Sequence, residues 1–223
     1  MMLLLTAQWK PASDTLQKKE PMKRILFSLA VVIVSVTSSA QQTASLNQQE
    51  KDAILYMREE EKLARDVYDS MYIKWSGNPF GNIRHSEQIH MDRMKTLITA
   101  YSLQDPVEKN NDKPGVFTNS LLQKYYNELV TAGSQSLTHG LLAGAKIEEL
   151  DIADLDERIS LTQQQDIITA YNYLKMASEN HLRAFVRRLK MQGVSYEPVI
   201  LTKDQFSKII SSENNHSGHR GGS

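Results

Sequence analysis

The chain has 223 residues, of which 40% are hydrophobic and 23% are charged, and it contains no Cys. This is the composition of a globular domain with a sizeable core, and it excludes a disulfide scaffold, an iron–sulfur site and a thiolate metal site. Basic and acidic residues number 26 each, so no basic surface for nucleic acid is indicated.

The N-terminal segment has the layout of a secretory signal peptide. From Met22 the chain reads "MKRILFSLAVVIVSVTSSAQQ", a short basic region, an apolar run and small residues ending at Ala40. We predict a signal peptide over 22–40 and a true start at Met22, which makes 1–21 an upstream extension. The alternative is an uncleaved N-terminal anchor, although the apolar run is short for a membrane span. Without residues 1–40 the exported chain has 21 basic and 24 acidic residues, and no membrane association is expected.

Four long helical patterns follow, with almost no strand signal. T-x-x-Q capping boxes at Thr162 and Thr202 predict two of the helix starts, and Gly133 predicts a helix end. A polar loop, "DPVEKNNDKPG", separates the second pattern from the next one. The long helices are predicted over 47–75, 83–101, 135–158 and 162–193, and shorter ones over 118–132 and 203–212. The tail, 213–223, is predicted to be disordered.

This element order predicts an all-α bundle over 47–210, with a short extra helix in the crossover and a short C-terminal helix. One geometric question stays open. Glu61 lies about 20 Å from the end of the first helix at 1.5 Å per residue. Glu87 can reach the same level only if the second helix starts near Pro79 or the intervening loop climbs along the bundle.

The apolar seam of every long helix is interrupted near its middle by polar residues. Helices in a bundle bury positions spaced alternately three and four residues apart, and this rule identifies the residues that face inward. Glu149 is an alternative to Glu148 as the inward-facing acid, because the apolar spacing of the third helix is less regular. Glu59 and Glu60, in contrast, are expected to be solvated. The predicted inward polar residues are Glu61, Glu87, His90, Glu148, Asp151, Ser178 and His181.

Carboxylates in an apolar interior are strongly disfavoured unless their charge is compensated. A cation would resolve the conflict, and mixed carboxylate and imidazole ligands suit Fe, Mn or Zn. The alternative is that the inward acids form salt bridges with Arg65 and Arg183. Because such interruptions occur on all four helices, we expect a metal site.

Four stretches, "REEEKLARDVY", "SEQIHMD", "GAKIEELDIADL" and "SENHLRAF", together resemble a bacterial family catalogued as domain of unknown function 2202, placed in the ferritin-like superfamily. The resemblance covers about 47–210 and implies a ferritin-like four-helix bundle. The superfamily's di-iron set is a Glu from each of two helices and a Glu-x-x-His from each of the other two.

The ligand set that this resemblance implies is complete except at one position. Glu61 and Glu148 match the lone acids, and Glu87 with His90 matches the first pair. The fourth helix keeps His181 but has Ser178 in place of Glu, and Asp151 is a candidate replacement. One metal, an asymmetric pair of sites and a standard di-iron centre therefore all stay open.

The resemblance implies reduction of O₂ or peroxide coupled to Fe(II) oxidation, with iron the first choice of metal and Mn or Zn the alternatives. Tyr68, Tyr101 and Tyr171 are candidates for donors around the metal, and core packing is the other role for Tyr68. The competing hypothesis is a non-enzymatic helical module that binds a partner or sequesters metal. Neither the substrate nor the oligomeric state, a homodimer included, can be read from the chain.

Overall fold

The computed structural model describes residues 45–212, and within this range the chain forms seven α-helices and no strand. The all-α prediction is therefore confirmed. The segments predicted as an upstream extension (1–21), a signal peptide (22–40) and a disordered tail (213–223) lie outside the described residues. No helix within the described range is long and apolar enough to cross a membrane. The helices are α1 (Gln48–Trp75), α2 (Phe80–Ala100), α3 (Pro106–Lys109), α4 (Ser120–Gly133), α5 (Leu137–Ser160), α6 (Gln165–Met191) and α7 (Lys203–Ser211).

The helix ends agree with the predicted ones to within two residues except at three places. α2 begins at Phe80, three residues early, and the loop predicted after Asp105 contains the short helix α3. Thr162 does not form a capping box, because α6 begins only at Gln165. Its hydroxyl instead donates a hydrogen bond to Glu50 Oε1 at 2.7 Å. The capping box of Thr202 is confirmed.

The four long helices pack as two pairs, α1 with α2 and α5 with α6. Contacts of α1 with α5 and of α2 with α6 join the pairs into one bundle. The short helix α4 lies in the crossover and packs on α1 and α5, while α7 packs on α6. The early start of α2 helps to bring Glu87 level with Glu61, which answers the geometric question raised by the sequence.

The apolar core is divided into two clusters by a layer of buried polar residues. One cluster lies around Tyr68, Phe80 and Phe185, whose ring centroids are 5.3–6.3 Å apart. The other lies around Met57 and Leu174. Along each long helix, the predicted polar interruption falls between residues of the two clusters.

The outer face of α1 is covered by the crossover, and every residue from 57 to 68 is buried. The expectation that Glu59 and Glu60 are solvated is therefore wrong, since they are only 3% and 1% exposed. Glu59 accepts hydrogen bonds from the backbone N–H groups of Thr118 and Asn119 at the start of α4. Coverage by a distant segment removes the solvated face that the local pattern predicted.

Glu149 anchors the segment between α6 and α7. Its carboxylate accepts hydrogen bonds from the backbone N–H groups of Val199, Ile200 and Leu201, and from the hydroxyl of Tyr196 at 2.6 Å. Glu149 thus points away from the polar layer and does not replace Glu148 there. A buried carboxylate that accepts several hydrogen bonds is stable without a cation.

Replacing this anchor should cost stability. We expect Glu149→Ala to lower the free energy of unfolding by at least about 2 kcal/mol, because it leaves several buried donors without an acceptor. The measurement is urea denaturation followed by circular dichroism. The control is Glu157→Ala, an exposed acid on the same helix, which should change stability by less than about 0.5 kcal/mol. Equal effects of the two variants would contradict the anchoring role.

Candidate metal centre

The predicted inward residues meet in one buried layer at the middle of the bundle. On α2, α5 and α6 they come in pairs three residues apart, which places both members on the same helix face. All are buried, with exposures between 0% for His90 and 9% for His181. The prediction that they face inward is confirmed for Glu61, Glu87, His90, Glu148, Asp151, Ser178 and His181.

Two groups of potential ligands share the carboxylate of Glu87. The first is Glu61, Glu87 and His90, and the second is Glu87, Glu148 and His181. Within each group one potential ligand atom per residue lies within 4.8 Å of the others. Glu87 therefore lies between two three-residue clusters, one formed with α1 and one with α5 and α6.

The two imidazoles direct Nδ1 toward the acids. His90 Nδ1 lies 2.7 Å from Glu87 Oε2 and 3.1 Å from Glu61 Oε2. His181 Nδ1 lies 2.9 Å from Glu87 Oε1 and 3.5 Å from Glu148 Oε2. The rings stack at 5.6 Å with an interplanar angle of 20°. Each carboxylate oxygen of Glu87 thus faces a different imidazole.

Several buried polar atoms of this layer have no hydrogen-bond partner among residues 45–212. They are Oε1 of Glu61, Oε1 of Glu87, Oδ1 of Asp151 and Nδ1 of His181. His181 Nδ1 and Glu87 Oε1 are close to each other, yet their relative orientation does not form a hydrogen bond. Buried polar atoms are normally paired, so these converging unpaired oxygen and nitrogen atoms could hold a metal ion.

Neighbouring hydroxyl groups hold the ligand side chains in position. Tyr68 donates a hydrogen bond to Glu148 Oε1 at 2.5 Å, and Ser86 Oγ lies 3.4 Å from His90 Nε2. Such contacts fix the orientation of a metal ligand. Tyr68 therefore serves both core packing and the site. Tyr101 does not reach the layer, since its hydroxyl donates to Asp166, and Tyr171 belongs to the other apolar cluster.

Asp151 and Ser178 form a contact of their own within the layer. The Ser178 hydroxyl donates a hydrogen bond to Asp151 Oδ2, which leaves Oδ1 without a partner among the described residues. Glu61 is the charge that acts most strongly on Asp151. Asp151 thus supplies a fourth carboxylate beside the two ligand clusters, next to the position where the resemblance implied a Glu.

The two arginines considered as partners for the inward acids point elsewhere. Arg65 binds Asp66 and Asp112, with 2.6 Å between Arg65 Nη2 and Asp112 Oδ1. Arg183 donates to the carbonyl oxygen of Ile209 and to the hydroxyl of Ser212, both at 3.0 Å. Charge balance by these arginines is therefore ruled out.

Burial and the close approach of acids to imidazoles shift the pKa values of the residues in this layer. Burial alone would lower the pKa of His90 and of His181, but the adjacent carboxylates raise these pKa values to about 12 and about 10. Burial would raise the pKa of Glu87, yet the two imidazoles lower it to about 2. Burial raises the pKa of Glu61 to about 7, and it also raises the pKa values of Glu148 and Asp151.

One acid beside the layer was missed by reasoning from the sequence. Glu60 is buried, and both of its carboxylate oxygens lack a hydrogen-bond partner within the described part of the chain. Burial is the first cause that raises its pKa well above the ordinary value, followed by the charges of Asp154 and Asp151. The acids that act most strongly on Glu60 lie on α5, so its burial depends on the packing of α1 against α5, which the spacing within α1 alone did not indicate.

Comparison with known protein families finds one matching family model. The model described as "Uncharacterized protein domain (DUF2202)" matches residues 50–213. The uncharacterized protein MJ0754 of Methanocaldococcus jannaschii is 46% identical over 167 residues, which cover 75% of this chain and 89% of the relative. The crystal structure titled as that of the hypothetical protein MJ0754 from Methanococcus jannaschii matches with a TM-score of 0.74 and 44% identity. The match covers 78% of this chain and 98% of the crystallised one.

The pKa values predict how metal-free protein responds to alkali. His181 is raised from 6.5 to about 10, so its stabilising charge is fully present below pH 6.5 and is lost as the pH rises toward 10. Glu61 acts in the same direction, because its folded pKa of about 7 lies above its ordinary value of 4.5. We expect the melting temperature measured with chelator to fall between pH 6.5 and 10.

Saturating divalent metal should weaken this fall, since ligands must lose their protons to bind a metal. The control is His139→Ala, an exposed histidine outside the layer, which should keep the pH profile of the parent protein. A flat profile for the metal-free parent protein would contradict the assigned charges.

Proposed function

The chain belongs to the DUF2202 family, and we propose that it is an exported ferritin-like protein whose buried polar layer binds two metal ions. Iron is the first choice, and Mn or Zn are alternatives. The observation that carries this proposal is the pair of buried ligand clusters that share Glu87. A carboxylate with one oxygen toward each cluster is suited to bridge two cations.

In this proposal each metal has ligands from two helices or more. Glu61 and His90 would hold the first metal, Glu148 and His181 would hold the second, and Glu87 would contribute to both clusters. The two helix pairs, α1 with α2 and α5 with α6, share one arrangement. In each pair, an acid on one helix faces an imidazole on the other. This is the ligand pattern expected of a ferritin-like centre, with Ser178 as the departure.

Charge balance favours two divalent ions. Glu61, Glu87, Glu148 and Asp151 carry four negative charges when ionised, and the imidazoles are neutral when they bind metal. Two divalent cations neutralise that charge in a layer with apolar clusters on both sides. Asp151 would thus complete the balance that Ser178 leaves open, either as a ligand through its free Oδ1 or from beside the metal.

The chemistry of such a centre would be redox chemistry. When bound, a pair of irons supplies electrons for reduction of O₂ or peroxide as Fe(II) is oxidised. The chain's own residues hold the acids and imidazoles in position and keep bulk water out, since the layer is buried. Tyr68 holds a proton at its hydroxyl next to Glu148, where it can stabilise a change in that carboxylate's charge.

Export is part of the proposal and rests on the pattern over residues 22–40. Sequestration of metal without turnover is the remaining alternative, because the same ligands would serve it. Metal content tests the site, and turnover separates an oxidoreductase from a sequestering protein.

The metal content of single variants tests the shared ligand. We expect two Fe per chain after anaerobic reconstitution with Fe(II), measured by elemental analysis. Glu87→Ala should bind little or no iron, because both clusters lose a ligand. His90→Ala and His181→Ala should each retain about half of the iron, because each variant removes a ligand from one cluster and leaves the other complete. Glu59→Ala is the control, since this buried acid serves the fold, and its folded fraction should bind iron fully.

Exposure of the reconstituted protein to O₂ then tests the activity. Fe(II) should be oxidised faster than in Glu87→Ala, and the O₂ consumed should scale with the iron bound. Stoichiometric iron without faster oxidation would favour sequestration. Protein without bound Fe, Mn or Zn would contradict the metal centre itself.

A further inference from the structure

Glu60 is a buried acid for which neither the fold nor the metal centre has a use. Its side chain is 1% exposed, and neither carboxylate oxygen has a hydrogen-bond partner among the residues that the structure describes. Its neighbour Glu59 is equally deep, but both of its oxygens accept backbone N–H groups. An unpaired buried carboxylate is costly, so its persistence calls for a transient partner.

The surroundings of Glu60 form a line of carboxylates that leads from the surface to the metal centre. Asp154 and Asp151 lie one turn apart on α5, and Glu60 and Glu61 are adjacent on α1. The Asp154 side chain is 19% exposed, whereas Asp151 is buried at the layer. Of the charges that act on Glu60, those of Asp154 and Asp151 are the strongest.

We propose that Asp154, Glu60 and Asp151 form an entry route that passes divalent cations from the surface to the Glu61 and His90 cluster. The inference rests on the proposed metal centre. Unpaired oxygens occur at each buried step, on Glu60, Asp151 and Glu61. Carboxylates in series attract a cation and repel an anion in a low-dielectric interior. These acids do not form a closed ligand cluster among residues 45–212, which suits transfer rather than retention.

Arg158 lies at the outer end of this route and contacts its first acid, Asp154. Its guanidinium is 3.4 Å from Asp154 Oδ2 and stacks over the ring of Tyr56 at 4.3 Å. A cation that binds Asp154 must displace this guanidinium. The proposed route predicts slower metal uptake when one of the acids is replaced and faster uptake when Arg158 is replaced. Loss of folding would not change the uptake rate in opposite directions.

The test is the rate of metal uptake rather than the amount bound. Metal-free protein is mixed with Co(II) in a stopped-flow instrument, and the rise of the cobalt absorbance is followed. We expect Glu60→Gln and Asp154→Asn to load about tenfold more slowly, because a carboxylate that can attract and bind the cation on the path is lost. The final cobalt content per chain should equal that of the parent protein.

Two further variants keep the test decisive. Arg158→Gln should load faster than the parent, because the guanidinium no longer competes with the cation for Asp154. Glu59→Gln, the adjacent buried acid, should load at the parent rate in its folded fraction. Parent-like rates for both Glu60→Gln and Asp154→Asn, or a lower cobalt content in Glu60→Gln, would overturn the route and leave the metal centre standing. Failure of the parent protein to bind cobalt would overturn the metal centre and the route together.

Discussion

Repulsion among carboxylates buried at one level of the bundle is the constraint on which the rest of this structure depends. Glu61, Glu87, Glu148 and Asp151 come from three helices and lie between two apolar clusters. Their desolvation is costly, and among residues 45–212 two imidazoles and the hydroxyl groups of Tyr68 and Ser178 offset part of it. Protons on the imidazoles supply positive charge in the layer, because the adjacent carboxylates raise the pKa values of His90 and His181. Under the proposed function, metal cations would compete with these protons.

Other buried acids of this chain are stabilised by hydrogen bonds and ion pairs within the protein, without a metal cation. Glu149 accepts three backbone N–H groups and a tyrosine hydroxyl, and Glu59 accepts two backbone N–H groups. Asp66 is paired with Lys62 and Arg65. These acids fasten the crossover and the C-terminal segment to the long helices. The central layer differs from these anchors, because several of its buried atoms have no hydrogen-bond partner among residues 45–212.

The central layer could be predicted because it depends on helical periodicity. A polar residue on an apolar seam must face inward, so Glu61 or His90 is identified from its own helix alone. The hydrogen bond between Ser178 and Asp151 was harder to predict, because it depends on how α5 and α6 are aligned. The absence of a Glu at 178 was visible in the sequence, but only the packing shows that Ser178 donates its hydroxyl to Asp151.

The errors came from contacts between residues distant in the chain. Glu59 and Glu60 follow a local pattern typical of a solvated helix face, yet Glu59 is bound by the crossover and Glu60 lies near Asp151 and Asp154 of α5. Thr162 fits a capping box by sequence, but its hydroxyl is used by Glu50, 112 residues away along the chain. Local spacing does not contain this information. It also could not exclude Arg65 and Arg183 as partners for the acids, because either side chain is long enough to reach inward.

The most direct test of a cation in this layer is a crystal structure of the metal-loaded protein, with anomalous diffraction measured at the absorption edge of the bound metal. Two anomalous peaks are expected on either side of the Glu87 carboxylate, one next to Glu61 and His90 and the other next to Glu148 and His181. An absence of anomalous density in the layer, or peaks confined to exposed acids, would contradict the idea that a cation holds these side chains together.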